Sequence, residues 1–140
     1  MPSSEEGLYQ TDKLIADADD LRSAAYKTFV TWGADQSAAD DFVSKVIPLH
    51  FENLERQLKE GGTDYFCGNE LTIADVTVYD VLSNFTCDRL PEEEDALKDF
   101  AALKAWKERV GKNEGIANFL AGEQFNTLFK FDKSTLGYKD

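Results

Sequence analysis

Few side chains in this sequence stand at spacings that could do chemistry, and each is better explained as structure. Asp17-Ala18-Asp19-Asp20 invites a calcium reading, but a calcium loop needs a glycine at its sixth position and an acid at its twelfth. Counted from Asp17, those positions hold Arg22 and Thr28, so the cluster reads as the solvated face of a helix. His50 is the sole histidine and continues the apolar side of a helix; with no second ligand it reads as a partly buried, hydrogen-bonded residue. Cys67 and Cys87 show no CxxC spacing and no companion histidines. They read as ordinary thiols in a reducing compartment, and neither has a sequence context that makes a reactive one. Carboxylates are abundant, yet no pair stands out for acid–base work. A phosphate-cradling glycine loop needs a preceding strand, and no strand is predicted.

The elements that would position these residues are helical. Leu14, Ala18, Leu21, Ala25, Phe29 and Trp32 recur at steps of three and four, one apolar stripe ending near Gly33. Its start has two rival signals, a Ser3/Glu6 capping box and Thr11 followed by Asp12. Ser37 with Asp40 predicts a second start. Phe42, Val43, Val46, Ile47, Phe51, Leu54 and Leu58 then form a helix that Pro48 should kink and Gly61-Gly62 should end. Thr72 and Asp75 predict an acidic capping box, with Leu71 packing on Val76 as a hydrophobic staple and Gly68 free to take positive φ. From Ile73 to Phe85 apolar residues point in nearly every direction, which predicts a central helix surrounded by protein. Glu92-Glu93-Glu94-Asp95 reads as the solvated start of a fourth helix carrying Leu97, Phe100, Leu103, Trp106 and Val110. Asn113 or Glu114 begins a short fifth with Ile116, Phe119 and Leu120. The expectation is an all-α fold, a bundle of five to six helices around the buried central one. It comprises a helical domain over residues 1–122 and an aromatic tail over residues 123–140 folded back upon it.

Length and charge bound the function. With 140 residues, 42% of them hydrophobic, the chain can bury a core as one domain. A net charge of −12 argues against nucleic acid and anionic membrane surfaces, and favours solubility. No apolar run approaches the ~20 residues of a membrane span, and Met1-Pro2-Ser3-Ser4-Glu5-Glu6 lacks the features of a signal peptide. A cytoplasmic protein is expected.

The stretch Tyr65-Phe66-Cys67-Gly68-Asn69-Glu70-Leu71-Thr72-Ile73-Ala74-Asp75 resembles the capping box and staple of the glutathione transferase C-terminal domain. The pattern there is an aromatic, an apolar residue, Gly, Asp or Asn, then Ser or Thr followed two residues later by Ala-Asp; Cys67 is the loosest position. Phe100–Val110 and Ile116–Leu120 also resemble that domain, with Ala101 or Ala102 where the family usually has proline. The resemblance runs from about Leu8 to Leu120 and is nearest the sigma, mu and pi-like classes. It implies a helical half that shapes an electrophile pocket and part of a dimer surface. The glutathione site and the thiol-activating residue would lie in a thioredoxin-like domain that this sequence does not contain. Catalytic residues and cofactors are therefore expected to be none, with glutathione a co-substrate only beside such a domain. By the same resemblance Asp20 would contact glutathione in a neighbouring subunit. Phe29 and Val30 would line the pocket, and Phe129 and Phe131 would close it. The partners implied are a thioredoxin-like domain or another protein chain, and a possible homodimer. A stand-alone, non-catalytic interaction module is the alternative.

Overall fold

Helix α1 (Glu5–Tyr26) opens the computed structural model, which describes residues 4–28, 36–87 and 96–122. Its cap is neither Ser3 nor Thr11. Ser4, in extended conformation, accepts the Gly7 N–H at 3.1 Å. Thr11 is buried inside the helix, its hydroxyl donating to the Gly7 carbonyl at 2.8 Å. Leu14, Ala18, Leu21 and Ala25 are buried as the stripe predicts; Phe29, Trp32 and Gly33 lie outside the described residues.

The second helical run is built differently from its prediction. Ser37 lies inside α2 (Gln36–Asp41) rather than ahead of it. The chain then widens into a π-helical segment (Phe42–Val46), in which the Ile47 N–H reaches the Phe42 carbonyl. Helix α3 (Ile47–Gly61) follows, with Pro48 in its first turn. The helical backbone nevertheless runs unbroken from Gln36 to Gly61, so Pro48 has helical residues ahead of it, and the disturbance expected of an interior proline coincides with the widened π-helical turn just before it. Gly62 ends α3 in the left-handed region (φ 63°), its N–H bonded to the Leu58 carbonyl at 3.1 Å. A Cβ on Gly62 would meet no atom within 4 Å. Only the backbone conformation opposes a side chain, and Gly62→Ala is expected to cost about 1 kcal/mol, read as a lower urea midpoint at unchanged slope.

Helix α4 (Ile73–Val81) continues as a second π-helical segment (Leu82–Cys87). It is not surrounded on all sides. Ala74, Asp75, Val78 and Val81 are buried, but Ile73 and Val76 are 46% and 39% exposed. Among the described residues helix α4 packs mainly on α1 and touches α5 (Ala101–Gly111), and the Ile73/Val76 side of its first turn faces out. An apolar surface all round permits central burial but does not by itself fix which side a neighbour covers. Helix α6 (Glu114–Ala121) is capped by Asn113, whose side chain accepts from Gly115 and Ile116. Leu97 is buried just ahead of α5, while the acidic run 92–95 and the aromatic tail 123–140 lie outside the described residues.

Leu14, Phe51, Val78, Leu103, Trp106 and Val110 anchor one core shared by α1, α3, α4 and α5. Among the described residues every regular element is helical, and Tyr65–Gly68 is an isolated bridge. No helix among them is long and apolar enough to cross a membrane.

Candidate functional site

The loop between α3 and α4 is shaped by its own side chains. The Thr63 hydroxyl donates to the Tyr65 carbonyl (2.9 Å), the Asp64 N–H to the Asn69 side chain (3.2 Å), and the Tyr65 N–H to the Gly68 carbonyl (2.9 Å). Gly68 takes φ +128°, a conformation strained for other residues. This folding drives Phe66 inward against Trp106, ring centroids 5.0 Å apart and edge to face.

Asp75 is fully buried at the centre of that arrangement. One carboxylate oxygen accepts the Thr72 N–H (2.9 Å) and hydroxyl (3.0 Å). The other accepts the Phe66 N–H (3.1 Å) and the Trp106 indole N–H (2.9 Å). Thr72 and Asp75 stand as a capping box; Leu71 packs half-buried on the core, while Val76 faces out. Four neutral donors satisfy the anion without a cation. A carboxylate so enclosed joins the loop, α4 and α5 and has no free face for an external substrate.

Glu55 is the second buried carboxylate among the described residues. It lies on α3 but accepts the amides of Ala102 (3.2 Å) and Leu103 (2.6 Å) at the start of α5, with Lys59 2.9 Å away. Burial works against its charge, but the Lys59 hydrogen bond and then the Leu103 and Ala102 amides outweigh it, and its carboxyl is held below the usual value of 4.5.

A groove of about 750 Å³ follows the outer side of α3, with Asp17, Leu49, His50, Asn53 and Arg56 among its lining residues. Several of its polar side chains are engaged with one another or with neighbours on α1 and α3. Asn53 and Gln57 donate to Asp17 (3.2 and 3.0 Å), Gln10 and Lys13 to Gln57 (3.0 and 3.1 Å), and Arg56 to Asn53 (2.7 Å). His50 is half-buried in this wall, and no group of three or more metal-ligating side chains occurs among the described residues. Cys67 is half-buried in the loop, its sulfur 3.5 Å from the Thr11 hydroxyl. Such a groove can bind, but its described lining holds no nucleophile paired with a base.

Of the predicted binding residues, Asp20 is exposed on α1 beside Asp19, which pairs with Arg22; Arg22 also reaches Asp80 of α4 at 3.3 Å. Phe29, Val30, Phe129 and Phe131 lie outside the described residues. Sequence reading missed Glu55 and Trp106 as polar anchors. The signal for Glu55 was its place on the buried face between Phe51, Leu54 and Leu58. For Trp106 it was an indole N–H in an apolar stripe, which needs a partner when buried.

A family model described as glutathione S-transferase, C-terminal domain, matches residues 19–123. Among curated proteins, glutathione S-transferase alpha I of Oryctolagus cuniculus is 34% identical over 88 residues, 61% of this chain and 37% of that protein. Glutathione S-transferase 3 of Gallus gallus is 32% identical over 79 residues, 56% of this chain and 33% of that protein. The matched segment thus spans about a third of each relative. No solved structure matches the chain.

Proposed function

This chain belongs to the family of glutathione S-transferase C-terminal domains, and from that premise we propose that it works as the helical half of a glutathione transferase-like protein. Its part is to shape an apolar electrophile pocket and a dimer surface, beside a thioredoxin-like domain that binds glutathione and activates its thiol. The family match across residues 19–123 carries this reading. The two buried carboxylates among the described residues, Asp75 and Glu55, both hold helix starts together, a structural rather than a catalytic use. In this proposal Asp20 reaches glutathione on a neighbouring subunit, Phe29 and Val30 line the pocket, and Phe129 and Phe131 close it, in a cytoplasmic protein.

One observation favours a second reading. Leu8, Tyr9, Ile73 and Val76 are large apolar side chains left exposed, as a non-catalytic module that docks on other proteins would require. Mixing the chain with a glutathione-binding thioredoxin-like domain and following thiol consumption with an apolar electrophile separates the two. Negligible turnover alone and conjugation on mixing are expected. A stable complex that never conjugates, whatever domain is supplied, would replace the first reading with the second.

A further inference from the structure

Helix α5 has no cap of its own. Phe100 stands at its N-cap without a side-chain hydrogen bond, and both oxygens of Glu55, from α3, take the first-turn amides instead. We infer that Glu55 is an acid-releasable latch: ionised, it fastens the first turn of α5 to α3, and protonated, it lets that turn go while the rest of the domain stays folded. An ionised carboxylate offers both oxygens and a negative charge to the positive end of the helix dipole; a neutral carboxyl gives up the charge and part of the accepting capacity.

Release is local because the rest of α5 is held independently. Trp106 bonds Asp75, and Arg109 donates to the Asp64 carbonyl at 2.6 Å. The turn that loosens carries Leu103, fully buried, and adjoins Phe100, whose ring meets Phe51 edge to face at 5.6 Å. Opening therefore uncovers apolar surface at one end of the helix.

The charges around Glu55 set the direction. Lys59 holds it from α3, where His50, Glu52, Arg56 and Glu60 line the same groove; Asp17 lines it from α1. On the α5 side stand the two amides, with Lys104 in the same turn and exposed Lys98 and Asp99 just ahead. With the folded carboxyl held below 4.5, the latch contributes fully above that pH and is lost as pH falls through the lower folded value.

Amide hydrogen exchange on the intact chain between about pH 6 and pH 3 tests this. Protection factors of Ala102 and Leu103 are expected to fall about tenfold or more below pH 4.5, the loss of a charge-assisted bond, while those of Val78 and Val81 hold. Lys59→Met should move the midpoint upward, and Glu55→Gln should abolish the acid step. The latch is refuted if both amides stay protected until the whole chain unfolds, or if the step persists in Glu55→Gln.

Discussion

Replacing Asp75 by alanine is expected to lower the melting temperature by roughly 10–20 °C while leaving the chain helical at low temperature. The substitution removes the acceptor of four donors at once. Two of them, the Phe66 amide and the Trp106 indole, are buried and would be left unpaired at about 1–3 kcal/mol each. Loss of the α4 cap adds about 1 kcal/mol. The sum, on the order of 4 kcal/mol, is a large share of the 5–15 kcal/mol typical of a whole domain. Thermal melts followed by circular dichroism give the answer directly, and a shift under about 3 °C would mean that the carboxylate does not join the loop to α5. Trp106→Phe removes one donor, and its combination with Asp75→Ala should cost less than the two separate losses added together.

Phe51→Ala should destabilise by about 3–5 kcal/mol through a wholly different cause. Phe51 is fully buried on α3 and sets its ring at right angles to that of Phe100, at the entry to α5. Truncation loses the transfer free energy of the ring, leaves a cavity, and breaks an aromatic pair worth about 0.5–1.5 kcal/mol. Phe51→Leu keeps most of the volume and should retain much of the stability. Urea unfolding distinguishes these outcomes, because a cavity lowers the midpoint and leaves the slope unchanged. A loss well below about 3 kcal/mol would show that this part of the core collapses onto the space, and equal midpoints would show that the ring's burial does not stabilise the fold.

What could be read from the sequence was what is encoded within one or two helical turns. Leu14, Ala18, Leu21 and Ala25 repeat at the helical period and bury as a stripe. Gly61-Gly62 marks a stop because the left-handed residue that ends α3 is a glycine. Thr72 and Asp75 are three residues apart, so their pairing is local. The misreadings arose where the deciding contact was remote or the local signals were degenerate. Three hydroxyl residues, Ser3, Ser4 and Thr11, could each start α1, and only burial shows that Thr11 lies within it. The start of α5 is capped from 47 and 48 residues away, beyond any local motif. The exposure of Ile73 and Val76 depends on which helices stand beside α4, a matter of packing rather than composition. Of the candidate site, Asp20 alone falls within the described residues, and it is placed on the outer surface of α1.

The partners of Asp75 come from three separate stretches: the loop at Phe66, the helix start at Thr72 and the middle of α5 at Trp106. Any dissection of the chain between residues 81 and 101 would therefore strand an anion in apolar surroundings on one fragment and an orphaned indole on the other. Neither piece should persist alone, and the two should recover structure only by recombining. A truncation or fusion junction for this protein belongs beyond Gly111, where the carboxylate already has all its donors.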